Sequence, residues 1–150
     1  MPSEYDDSDV QPLDAAGLQT AAESGTPMLV TFYAPWCGHC VQMVPEFKKA
    51  AAALKSSGVA VGAVNCDAEK GVAQSLGIKG FPAVKFMHNG KFTDYQGPRK
   101  SADFVAFAQG QARLALLKSR ALGVLRSSKL AMSKLLHMPQ AEGAAAAAAA

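Results

Sequence analysis

Two cysteines, Cys37 and Cys40, stand three positions apart in "FYAPWCGHCVQMVPEF", residues 32–47, with only Gly38 and His39 between them. Three chemistries use such a pair. Structural zinc wants four ligands, usually two such pairs or one pair with two histidines. Here the third cysteine, Cys66, is alone, and His88 and His137 lack ligand spacing. A disulfide staple between Cys37 and Cys40 would close a very small loop and restrict the unfolded chain little. A redox pair fits best. A thiol at a helix N-terminus feels unpaired amides and the positive dipole end, and both favour the thiolate. The thiolate is the nucleophile, and a second cysteine one turn later can release the mixed disulfide.

Such a pair needs a strand before it and a helix after it, and the pattern supplies both. "MLVTFY", residues 28–33, is an apolar, β-branched and aromatic run that reads as a buried strand. From Cys37 to Lys55 the pattern is helical, with Val41, Val44, Phe47, Ala51 and Leu54 on one face and Pro45 inside. Upstream, Leu13 to Ser24 reads as a helix capped by Asp14, with a first strand near Val10. Downstream come a buried strand over 59–64, a short helix over 69–76 and a strand over 80–87. "HNG" at 88–90 is a hairpin turn leading into the strand "KFTDY". A last helix starts near Ser101 and includes Phe104, Val105 and Phe107. Early alternation implies parallel strands joined by crossovers, and the closing hairpin adds antiparallel edges. The expected fold is α/β, a mixed central sheet with helices on both faces.

The chain has 150 residues, 49% hydrophobic and 18% charged, which suits one domain with an appendage. Three cysteines are too few for a secreted disulfide scaffold. The start, "MPSEYDDSDVQPL", is acidic without an apolar core and does not read as a signal peptide. No apolar run is long enough for a transmembrane helix. Charge is uneven: residues 1–98 carry seven Lys/Arg and ten Asp/Glu, whereas residues 99–150 carry eight and two. The basic excess lies at the C-terminal end.

"FYAPWCGHC", then "GFPAVKF", then "YQGPR" resembles a catalytic domain of the protein disulfide isomerase family, over residues 28 to about 108. The resemblance implies the thioredoxin fold. It implies that Cys37 is the attacking thiol and Cys40 the resolving thiol, with Gly38 and His39 between them. His39 would stabilise the reduced thiolate and make the disulfide more oxidising. Trp36 would line the rim of the site. Pro82 matches the family's cis-proline, whose neighbouring backbone, at Phe81, pairs with an extended substrate. Arg99 matches an arginine that swings toward the resolving cysteine. Two departures stand out. Thr31 occupies the place of a buried glutamate six residues before the attacking cysteine, and Ala63 the place of its companion lysine. Val41 replaces the basic residue that commonly follows the motif.

Other residues read more plainly. Cys66 is a small apolar core residue at a strand end. His88 and His137 are solvated, and Phe81, Phe86 and Phe92 are packing residues, with Phe81 also beside the implied groove. From Arg113 to His137 the leucines roughly track one helical face, and Arg113, Arg120, Arg126, Lys129 and Lys134 make the other basic. Such a helix could touch an anionic membrane surface or an acidic partner; the plainer reading is a solvated extension of the last helix.

The organisation expected is a thioredoxin-like domain over 1–110, a basic helical extension over 111–138 and a disordered Ala-rich tail over 139–150. The function implied is thiol–disulfide exchange on protein substrates carrying thiols or disulfides, through Cys37 and Cys40. No cofactor, metal or nucleic acid enters this reading, and the redox partner, glutathione or an oxidase, stays open. Residence in the endoplasmic reticulum lumen is implied by the resemblance alone, since no K-D-E-L-type signal is present. Two alternatives remain: a thioredoxin-like reductase outside the secretory pathway, and a weakly active polypeptide-binding or assembly module.

Overall fold

The computed structural model describes residues 3–122. The described residues form one five-stranded sheet in the order β1-β3-β2-β4-β5. The strands are β1 (Val10–Leu13), β2 (Met28–Tyr33), β3 (Ala60–Asn65), β4 (Ala83–His88) and β5 (Lys91–Tyr95). β2 pairs in parallel with β3 and antiparallel with β4, so it is the central strand. All six of its residues are buried, as the unbroken apolar run required. β4 and β5 join through Asn89 and Gly90, both with positive φ (51° and 76°), the backbone that a two-residue hairpin turn of this hand demands.

The helices are α1 (Ala15–Ser24), α2 (Gly38–Leu54), α3 (Lys70–Ser75) and α4, helical from 101. Asp14 caps α1 by accepting from the Gly17 amide at 2.6 Å. Strand side chains alternate between two faces. Leu29, Tyr33, Ala63, Val84 and Phe86 pack with Cys40, Met43 and Phe47 of α2 and Phe104 of α4. Met28, Val30, Phe32 and Val64 pack with Leu18 of α1 and Val72 of α3 on the other side. The chain divides into two compact units after Arg113. In the second unit residues 114–122 are helical, with Leu114, Leu116, Leu117 and Leu122 exposed. The remainder of the expected basic extension and the Ala-rich tail lie outside the described residues.

Three details correct the sequence reading. The buried seam of α2 is Cys40, Met43, Phe47, Ala50, Ala51 and Leu54, while Val41 is exposed and Val44 half-buried. The expected Phe47, Ala51 and Leu54 lie in that seam and Val44 packs at its margin, while the Cys40 thiol and the Met43 thioether stand where Val41 was expected. β4 begins at Ala83 instead of Gly80. Pro82 has no amide hydrogen for the ladder, so pairing starts after it. Tyr5, in a stretch that read only as acidic, is fully buried in the core against Tyr33 and Phe47.

Candidate active site

Cys37 is the N-cap of α2, immediately after the loop that leaves β2. Its amide donates to the Ala34 carbonyl at 3.1 Å, closing the turn, and its carbonyl accepts from the Val41 amide at 3.1 Å. The cap position leaves the first amides of α2 unpaired within the helix. Cys37 makes no side-chain cap bond, and its sulfur is half-buried beside these amides. Gly38 and His39 are exposed in the first turn, and Cys40 is buried on the sheet-facing side.

The two thiols are driven apart. A hydrogen bond from Cys40 does most to hold the Cys37 thiol below its ordinary pKa, helped by the backbone amides of Cys40 and His39 and the Arg99 charge. Partial burial works against this. Burial pushes the Cys40 thiol up to about 12; the hydrogen bond it gives Cys37 adds to this, while the Ala34 amide and Arg99 oppose it. The Cys37 thiol is thus the more readily ionised of the two, and the Cys40 thiol keeps its proton at neutral pH.

Across the sheet edge, the Cys37 thiol donates to the Phe81 carbonyl at 3.5 Å. The Phe81–Pro82 bond is cis. The Trp36 ring meets Phe81 edge-on, with centroids 6.2 Å apart, and is 69% exposed. Trp36 Nε1 donates to Asp67 Oδ1 at 2.9 Å. Asp67 was not singled out from the sequence. Its signal was topological: "NCD" closes β3, and β3 lies beside β2, so Asp67 emerges next to the loop that carries Trp36. Trp36, Cys37 and Phe81 thus form one surface.

Arg99 is exposed and lines an open groove of about 510 Å³ with Pro82, Lys79, Lys85 and Tyr95. Its loop is tied down at both ends. Tyr95 Oη donates to the Pro98 carbonyl at 2.6 Å, and the Ser101 amide donates to Glu46 of α2 at 2.9 Å. That last bond lowers the Glu46 carboxyl pKa. Arg99 touches neither sulfur through a hydrogen bond; it acts on them by charge.

Beneath α2, Thr31 is fully buried and pairs in register with Ala63 on β3 and Val84 on β4. All three lie on the α2 side of the sheet, by the alternation that puts Leu29 and Tyr33 there. Neither an acid nor a cation stands at this place. Cys66 is 4% exposed, and burial raises its thiol to about 11. It donates to the Val64 carbonyl at 3.8 Å and belongs to the opposite core layer.

The chain is 42% identical over 93 residues to a probable protein disulfide-isomerase A4 of Caenorhabditis elegans, covering 61% of this chain and 15% of the relative. It is 50% identical over 98 residues to protein disulfide isomerase-like 2-3 of Oryza sativa subsp. japonica, covering 64% and 22%. It therefore spans less than a quarter of the length of these relatives. Among solved structures, the J-Trx1 fragment of ERdj5 superposes with a TM-score of 0.70 at 28% identity, over 73% of this chain and 55% of that one. The first thioredoxin domain of mouse protein disulfide-isomerase A4 superposes with a TM-score of 0.63 at 31% identity, over 68% and 74%. With the fold, the Cys37–Cys40 pair at the head of α2 and a thioredoxin family model matching residues 11–110, the chain belongs to the thioredoxin family.

Proposed function

We propose that this domain is a thiol–disulfide oxidoreductase and isomerase acting on protein substrates. The observation that carries the reading is the division of labour between the two thiols: Cys37 capped, half-exposed and held toward the thiolate, Cys40 buried and protonated. Cys37 attacks a substrate disulfide, forming a mixed disulfide and releasing one substrate thiol. Cys40 then gives up its proton and attacks Cys37, closing the Cys37–Cys40 bond and freeing the second substrate thiol. Run backwards, the oxidised pair donates its disulfide to substrate thiols.

In this reading Trp36 and Phe81 form the surface on which an unfolded segment rests. The backbone beside Pro82 pairs with the extended substrate, His39 and Gly38 tune the pair, and Arg99 supplies positive charge to both sulfurs. The likeness to disulfide isomerases supports residence in the endoplasmic reticulum lumen, where such a pair is recharged by glutathione or an oxidase.

The test is the equilibrium potential of the Cys37–Cys40 couple against glutathione. A value close to that of protein disulfide isomerase, about −180 mV, fits an oxidase and isomerase. A value near thioredoxin's, about −270 mV, makes the domain a reductase instead. The absence of a buried acid at Thr31 favours one second reading, a polypeptide-binding module with slow chemistry; peptide binding without formation of the couple would establish it.

A further inference from the structure

Resolution requires Cys40 to lose a proton, yet Cys40 is buried with its thiol disfavoured as the thiolate. The ionisable groups around it are few. Cys37 and Arg99 face it from the active-site side. From the sheet, Ala63 and Val84 offer no polar side-chain atom. Tyr5, from the N-terminal segment, is close enough that charge on Cys40 opposes ionisation of its phenol, behind the larger effects of burial and of Tyr33, with Glu4 contributing last.

Tyr5 Oη and Thr31 Oγ1 are both buried and, among the described residues, without a hydrogen-bond partner. Native interiors satisfy nearly all such groups, directly or through ordered water, so two in one layer call for an explanation. The Tyr5 ring is held edge-on between Tyr33 at 5.3 Å and Phe47 at 5.9 Å, in the same cluster as Cys40. Thr31 lies on the α2 side of β2. The way out is also present. Tyr33 Oη and Ser3 Oγ are 3.3 Å apart, and both line an open cavity of about 530 Å³. Ala63, the register partner of Thr31, forms part of its wall, as does Glu4.

We propose that Tyr5 and Thr31 are positioning residues for the resolving step: through water between their hydroxyls and Cys40, they solvate its forming thiolate and conduct its proton to the cavity at Tyr33, Ser3 and Glu4. The proposal rests on the reading of Cys40 as the resolving thiol. In the step, the Cys40 S–H bond breaks and its proton passes along the hydroxyls to solvent in the cavity. The Cys40 sulfur forms a bond to Cys37 Sγ, the Cys37–substrate S–S bond breaks, and the electron pair leaves on the substrate sulfur, which takes a proton from solvent. The substrate disulfide is the oxidant, and no other redox partner is required. The family-like acid is unnecessary in this arrangement, because hydroxyl groups relay a proton without keeping it.

Tyr5→Phe and Thr31→Val each remove a hydroxyl and keep the shape. Reduced protein is mixed with a disulfide-bonded peptide and quenched in acid, and mass spectrometry follows the Cys37 mixed disulfide and the Cys37–Cys40 bond over time. Attack by Cys37 should be unchanged in both variants. Release should slow by about tenfold at neutral pH, with the midpoint of its pH profile moved up by about one unit. Release within twofold of the unsubstituted protein in both variants, with an unmoved midpoint, overturns the relay alone. Equal slowing of attack and release marks a packing effect and also overturns it. If the unsubstituted protein forms no Cys37–Cys40 bond, the redox reading itself fails, and the relay with it.

Discussion

The Cys37 thiol donates to the Phe81 carbonyl at 3.5 Å, across 44 residues of sequence. That bond exists only for the protonated thiol, so it opposes ionisation. The Cys40 hydrogen bond, the α2 amides and Arg99 pull the other way and prevail. The same carbonyl belongs to the residue whose ring meets Trp36, so the poised sulfur and the apolar surface share one anchor.

The first prediction follows from this balance. In the reduced protein Cys37 should alkylate before Cys40 and Cys66, whose thiols are raised to about 12 and about 11. The pH midpoint of Cys37 labelling should lie below 9.0, its ordinary reference value. Mapping a limiting iodoacetamide reaction by mass spectrometry checks both. Labelling of Cys66 first would reverse the assignment of roles.

His39 separates two contributions. Its backbone amide favours the Cys37 thiolate, while its ring is exposed in the first turn. Proline there is tolerated by a first helical turn but removes the amide hydrogen as well as the ring. His39→Pro should destabilise the reduced form and lower the potential by tens of millivolts, where about 30 mV equals roughly 1.4 kcal/mol. His39→Ala should reproduce the part that belongs to the ring. Redox titration of both variants measures the split, and an unchanged potential in His39→Pro would falsify a tuning role for this position.

Much of this site could be read before the fold was known, because its elements are local. An apolar run, a Cys-x-x-Cys and a helical period lie within 27 residues of one another, from Met28 to Leu54, and each element forms from its own sequence. The placing of Ala63 beside Thr31 came from the family resemblance, and the parallel β2–β3 register pairs the two residues. What stayed hidden depends on long-range packing. Tyr5 sits among Asp and Ser residues, and nothing local shows that its ring enters the core. The first turn of the α2 seam depended on which residues the sheet admits, and Asp67 became visible only once β3 stood beside β2.

Asp67 should hold Trp36 in place. Trp36 is the only tryptophan, so its fluorescence reports on this contact without interference. Asp67→Ala removes the acceptor 2.9 Å from Nε1. Because the pair is exposed, stability should change by no more than about 1 kcal/mol. The freed indole should show lower fluorescence anisotropy, and KM for a peptide disulfide should rise while the potential of the couple stays put. An unaltered anisotropy would remove Asp67 from the site.

The buried Cys66 thiol sets an alkaline limit. Its folded pKa, about 11, lies above 9.0, the ordinary value for a thiol. Between these values the unfolded chain has lost a proton that the folded chain keeps, so stability falls as pH rises. The slope is roughly 1.4 kcal/mol per pH unit for one thiol. Cys66→Ala should flatten urea-unfolding stability against pH by that share between pH 9.0 and about 11. Equal slopes in the two proteins would place the Cys66 sulfur in contact with water.

The last prediction concerns an acid beneath the site. Thr31 is fully buried between Ala63 and Val84, so Thr31→Glu puts a carboxyl among apolar neighbours with no cation beside it. Burial raises the pKa of such a group, and a carboxyl titrating nearer neutrality can accept the Cys40 proton directly. Release of the mixed disulfide should therefore speed up by about tenfold or more. Stability should fall by about 2–4 kcal/mol, from desolvation and the larger side chain. Adding Ala63→Lys supplies a cation from the neighbouring strand, and should recover part of that loss while drawing the glutamate back toward its ordinary pKa. Stopped-flow oxidation and urea unfolding on the single and double variants measure both quantities. Rate and stability move in opposite directions only if position 31 lies under Cys40. A Thr31→Glu protein with unchanged release and unchanged stability would mean that its side chain has turned to water, and that the register of β2 against α2 is not the one described.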